Sequence, residues 1–137
     1  MNIETHPLEA CLTAEGVRMH ANQHLEKAKT LQKNIAALKE KSPLTWEETF
    51  DALDDLHFMI GEASSIPHLM AATHPDKEVR DAAREGEPKI SAFITELLLD
   101  EDVFHVLERF EKQQSETEPS RLRFMRESLN EYRRNGL

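Results

Sequence analysis

Apolar residues recur at steps of three and four from Val17 through Ala21, Leu25, Ala28, Leu31 and Ile35 to Leu38. That spacing keeps one stripe on one side of an α-helix and predicts a long amphipathic first helix. Thr13 stands where an N-cap hydroxyl belongs, Lys39 and Lys41 suit the negative end of the helix dipole, and Ser42-Pro43 breaks the pattern. The next start lies in LTWEET, where Thr45 is followed three residues later by Glu48, the spacing of a capping box. A second helix is therefore predicted from Trp46, with Phe50, Leu53, His57 and Ile60 on its buried face and Leu56 and Met59 widening the stripe. Gly61 and Pro67 interrupt it, which predicts a kink or break near Ser64 to Pro67, before the short apolar stretch Leu69 to Ala72.

Asp76 in THPDKEVRDAA can cap a third helix carrying Val79, Ala82, Ala83, Ile90, Phe93, Leu97 and Leu98, with a bend expected around Glu85 to Pro88 because proline removes a backbone bond. Asp100 to Asp102 open a fourth helix through Val103, Phe104, Val106, Leu107 and Phe110. After the polar loop QQSETEPS, Pro119 fits the first turn of a fifth helix with Leu122, Met125, Leu129 and Tyr132 inward and Gly136 as its stop. The pattern contains neither strand alternation nor a fixed repeat. The predicted fold class is all-α: an antiparallel bundle of about five helices, some kinked at Pro, in a single domain spanning 1–137.

Charge narrows the function classes. Seventeen Lys and Arg against 26 Asp and Glu leave a formal charge of −9, a field that repels phosphate backbones and argues against nucleic acid. The longest apolar run, around Leu97 to Leu99, falls far short of the roughly 20 residues of a membrane span. The N-terminus MNIETHPLEACLT has neither a basic nor an apolar leader region, so a cytoplasmic location is expected. Cys11 is the lone cysteine; nothing basic flanks it, and an inert thiol is expected.

Seven histidines invite a metal reading. His20 and His24, in HANQH, stand four apart, so both could reach one ion from a helix, but the Glu that would follow the first His of a zincin helix is missing and no carboxylate partner follows from the pattern. They are read as surface histidines. Asp54 with His57, and Asp102 with His105, have the three-residue spacing of carboxylate-bridged di-metal bundles with a shorter acid, and are read as partly satisfied core histidines. No Gly-rich phosphate loop, nucleophile elbow or Cys ligand set is present. The scattered Met19, Met59, Met70 and Met125 are read as core filler. Glu47, Glu48, Asp51, Asp54, Asp55 and Glu62 make the second helix acidic, whereas Arg121, Arg123, Arg126, Arg133 and Arg134 make the last one basic; both are read as solvated faces.

Taken in order, LTWEETFDALDD, IPHLMAATHPDKEVRDAA, KISAFITELLLDEDVFHVLERF and RFMRESLNEYRRNGL resemble the amino-terminal helical region of the thimet oligopeptidase and neurolysin family of zinc metallopeptidases. The matching pieces are Trp46, Pro67, Asp76 to Ala82, Asp102 to Leu107 and Arg133 to Leu137, and the likeness runs from roughly Thr45 onward, while the first helix fits only in general character. The resemblance implies a piece of the helical lobe that walls the peptide channel, with the family's chain continuing into the portion that carries its His-Glu-x-x-His zinc helix. That motif does not occur here, so no catalytic, cofactor-binding or metal residue carries over, and zinc belongs to the full-length family. The implied partners are the remainder of a peptidase catalytic domain and, in the parent enzyme, oligopeptides. The rival readings are a stand-alone helical protein-interaction module, including a homodimer through exposed apolar faces, and the di-metal carboxylate bundle.

Overall fold

The computed structural model describes residues 13–137. The chain is all-α, with no strand among the described residues: α1 (Ala14–Ala36), α2 (Ala52–Thr73), α3 (Lys77–Leu98), α4 (Glu101–Gln113) and α5 (Pro119–Arg134). A 3-10 turn, Ala37–Glu40, extends α1, and a π-helical turn, Glu47–Asp51, leads into α2. Cys11 lies outside the described residues.

The start and stop signals act as their chemistry dictates. Thr13 Oγ1 accepts from the Gly16 amide at 3.0 Å. In the capping box the Thr45 amide donates to Glu48 Oε2 at 2.9 Å and the Glu48 amide donates to Thr45 Oγ1 at 3.2 Å. Glu48 is also paired with Lys41, and that hydrogen bond, followed by the Thr45 amide, holds its carboxyl below the usual range. The turn after this cap is wide because the Thr49 hydroxyl donates to the Thr45 carbonyl at 2.7 Å, while the Asp51 amide reaches back five residues to the Trp46 carbonyl at 3.0 Å. Asp76 and Asp100 cap α3 and α4 by accepting from Glu78 and Val103 amides at 2.9 and 3.1 Å. Glu118 accepts from the Ser120 and Arg121 amides ahead of α5, with Pro119 in its first turn. Gly136, at φ 104°, closes α5: its amide donates to the Arg133 carbonyl and that of Leu137 to the Tyr132 carbonyl, both at 3.1 Å, the two bonds of a Schellman ending.

The break expected as one outcome near Ser64 to Pro67 does not occur, and Pro88 lies inside α3 as expected. Pro67 and Pro88 both lie inside unbroken helices, so Leu69 to Ala72 is the last part of α2 and not a separate stretch. Pro67 is buried, and packing of its ring offsets the backbone bond that proline removes.

The residues fall into two compact units, one built from residues 13–28 and His57–Phe93, the other from Lys29–Leu56 and Ile94–Leu137. The core of the first unit is Val17, Met70, Ala71, Val79 and Ala83, with Ile66 against it. The second has a larger aromatic core. Phe50 is fully buried and lies 5.6 Å from Trp46, 5.8 Å from Phe110 and 6.0 Å from Phe124, centroid to centroid. Arg109 donates to the carbonyls of Leu38 and Lys41 and so ties the end of the 3-10 turn to α4.

Several expected core positions differ. His57 is exposed, because the line of buried α2 positions runs through Leu53, Leu56, Ala63 and Pro67 and leaves His57 outside it. Leu122 is 40% exposed, while Phe124, on another side of α5, is half-buried against Trp46 and Phe50. Leu31, Leu38, Met59, Ile60 and Leu98 are half-buried, and Met19, expected to fill the core, is 51% exposed.

Three substitutions test these local arguments. Gly61 is helical with open space where a Cβ would stand, and a Cβ on Gly86 would meet only Ala21 at an ordinary 3.6 Å. Gly61→Ala and Gly86→Ala should each raise the unfolding free energy by about 1 kcal/mol in urea titrations. The buried Tyr132 hydroxyl has no hydrogen-bond partner, and burial, with the nearby Asp100 charge adding to it, pushes its pKa far above that of ordinary tyrosine. Above pH of about 10 the unfolded chain releases this proton while the folded one keeps it, so stability falls as pH rises. Tyr132→Phe should stabilise the protein by about 1 kcal/mol at neutral pH and flatten that alkaline decline.

Candidate functional site

The cluster richest in potential ligands lies in the first unit and joins α1 to α2. The four-residue spacing of His20 and His24 puts both rings on one side of α1, with centroids 4.3 Å apart and planes inclined at 41°. Glu62 arrives from α2. One ring nitrogen from each histidine and a carboxylate oxygen of Glu62 all lie within 4.8 Å of one another. His20 is buried, contrary to the surface position expected for it, while His24 and Glu62 are half-buried.

Backbone hydrogen bonds fix both rings. His20 Nε2 lies 2.8 Å from the Glu62 carbonyl, and His24 Nδ1 lies 2.8 Å from the His20 carbonyl. A carbonyl oxygen only accepts, so each of these nitrogens carries the proton, and in the neutral rings the lone pairs reside on His20 Nδ1 and His24 Nε2. Each imidazole is thereby oriented by a backbone acceptor, with its second nitrogen available to a proton or a metal ion.

Also in the first unit, α2 and α3 line a groove of about 460 Å³ with Pro67, His68, Ala83, Gly86, Glu87 and Ile90 along it. His68 Nδ1 faces Glu87 Oε1 at 3.9 Å across it, with both side chains well exposed. On the same unit, Arg18 grips Glu85 through two hydrogen bonds, at 2.8 and 3.1 Å, and the first cause of the lowered Glu85 pKa is that bond. In the second unit, Arg121 stacks over Trp46 with its guanidinium carbon 4.8 Å from the ring centre, beside a recess of about 190 Å³ reached by Asp51 and Asp54.

The other sequence candidates are not assembled. Asp54, His57, Asp102 and His105 are all exposed, so neither Asp-His pair points into a bundle interior as a di-metal site requires. Asp102 faces Lys39 at 3.7 Å, and the His105 ring lies 5.7 Å from that of Phe104. Among the Arg residues of α5, Arg121 pairs with Glu116, Arg133 with Glu108 and Arg134 with Glu131, in keeping with a solvated face. Sequence reasoning found the two histidines of the α1–α2 cluster and missed Glu62, since nothing in the periodicity of α2 marks which of its acids faces α1. No protein-family model matches this chain.

Proposed function

We propose that this chain is the noncatalytic N-terminal helical segment of a thimet-oligopeptidase-like zinc metalloendopeptidase, serving the parent enzyme by shaping access for short peptides and inactive in hydrolysis by itself. The ordered likeness from Thr45 onward motivates the reading. The observation that carries it is the outer face of α2. From Ala63 to Pro75 the sequence has no Asp, Glu, Lys or Arg, and Phe58, Ser65, Leu69 and Ala72, spaced seven, four and three apart, share one exposed side of the helix. Phe58 is 62% exposed and Leu69 47%. Large apolar side chains such as Phe58 and Leu69 left in water on one helix are ordinarily covered, and here the covering surface would be the remainder of the peptidase.

Peptide hydrolysis requires a polarised carbonyl and an activated water, and the family supplies both through its zinc helix. The 137-residue sequence contains no such motif. Purified and presented with internally quenched short peptides, the chain should give no turnover above the buffer rate. Hydrolysis that is abolished by a chelator and indifferent to serine-protease inhibitors would overturn the noncatalytic assignment.

A further inference from the structure

We propose that His20, His24 and Glu62 form a binding site for a divalent transition-metal ion, with zinc the ion whose preferences they fit best. This goes beyond the oligopeptidase reading and does not rest on it, because zinc in that family belongs to a His-Glu-x-x-His helix that this sequence lacks.

Three features carry the assignment. Two imidazoles and one carboxylate are a borderline-to-hard donor set suited to zinc, and three protein ligands leave the fourth tetrahedral position to water. Both rings are held by hydrogen bonds from the nitrogen opposite the lone pair to a backbone carbonyl, at 2.8 Å in each case, which is how metal-bound histidines are oriented. The cluster is also compact: one ring nitrogen of each histidine and a carboxylate oxygen of Glu62 lie within 4.8 Å of one another, while zinc bonds of about 2.1 Å place tetrahedral ligands about 3.4 Å apart. Glu62 is half-buried and outside the apolar core clusters, so its side chain has rotamers to use in approaching an ion. Bound there, the ion would clip α1 to α2 at the level of His20 and Glu62, and the assignment is to binding, with no reaction attached.

The test is calorimetric titration of the full chain with zinc chloride, beside His24→Ala, Glu62→Gln and, as a control, His105→Ala. His24 is half-buried and Gln keeps the shape of Glu62, so circular dichroism of both variants should match that of the parent. The proposal predicts one zinc per chain, affinity lowered at least about tenfold in each ligand variant and unchanged in His105→Ala, and a zinc-dependent rise in melting temperature that both ligand variants lose. Absence of saturable one-to-one binding, or binding by His24→Ala and Glu62→Gln as tight as that of the parent, would overturn it.

Discussion

Phe50→Ala is expected to lower the unfolding free energy by about 3–5 kcal/mol. Phe50 has no exposed surface and sits among Trp46, Phe110 and Phe124, three rings whose centroids are all within 6.0 Å of its own. Truncation removes the transfer energy of the ring and leaves a void that three rigid aromatic neighbours are poorly shaped to refill. The loss is a large share of the roughly 5–15 kcal/mol that a domain of ordinary stability possesses. Urea unfolding followed by Trp46 fluorescence reads it directly, since Trp46 is the chain's lone tryptophan and stacks on the substituted residue. A cost below about 1 kcal/mol would mean that the aromatic cluster is not packed as described.

The second large effect belongs to the other unit. Val17 is fully buried against Met70, Ala71, Val79 and Ala83, all apolar. Val17→Asp places a carboxylate where no described core neighbour can pair with it, at an expected cost of about 3–5 kcal/mol at pH 7. Burial would raise the pKa of the new carboxyl above its unfolded value. A group with a raised folded pKa binds its proton more tightly in the folded state, so the penalty shrinks as pH falls and grows as pH rises through the folded pKa. Melting curves of the parent and the variant should therefore lie closer together at pH of about 4 than at pH 7. A constant gap would place residue 17 in water.

Local chemistry made much of the fold legible in the sequence. Capping side chains, a Pro in the first turn of α5 and a Gly past its end specify boundaries through bonds between near neighbours, and Thr13, Thr45 with Glu48, Asp76, Asp100, Pro119 and Gly136 all perform the roles their positions suggest. The stripe of α4 is buried at every expected position, because Val103, Phe104, Val106, Leu107 and Phe110 keep a strict spacing. What depended on competition between neighbours was not legible. Periodicity places both Leu56 and His57 near the inward side of α2, and only packing decides that Leu56 enters. On α5, Leu122 lies on the predicted stripe yet is 40% exposed, while Phe124, off that stripe, packs against the core. Pro67 has a local preference to break a helix, overridden by burial of its ring. The candidate site was half legible: a four-residue histidine spacing is a local signal, whereas the arrival of Glu62, 42 residues from His20, is a property of the fold.

We propose above that these helices serve a larger peptidase. The most direct test of that role is the mass of the native protein, detected in the source cells with an antibody raised against the α4–α5 region. The account predicts a polypeptide much longer than 137 residues that, once captured, cleaves short unstructured peptides in a chelator-sensitive way. A 137-residue product with no peptidase activity in the captured material would contradict it and make the uncharged face of α2 the interaction surface of an independent helical module.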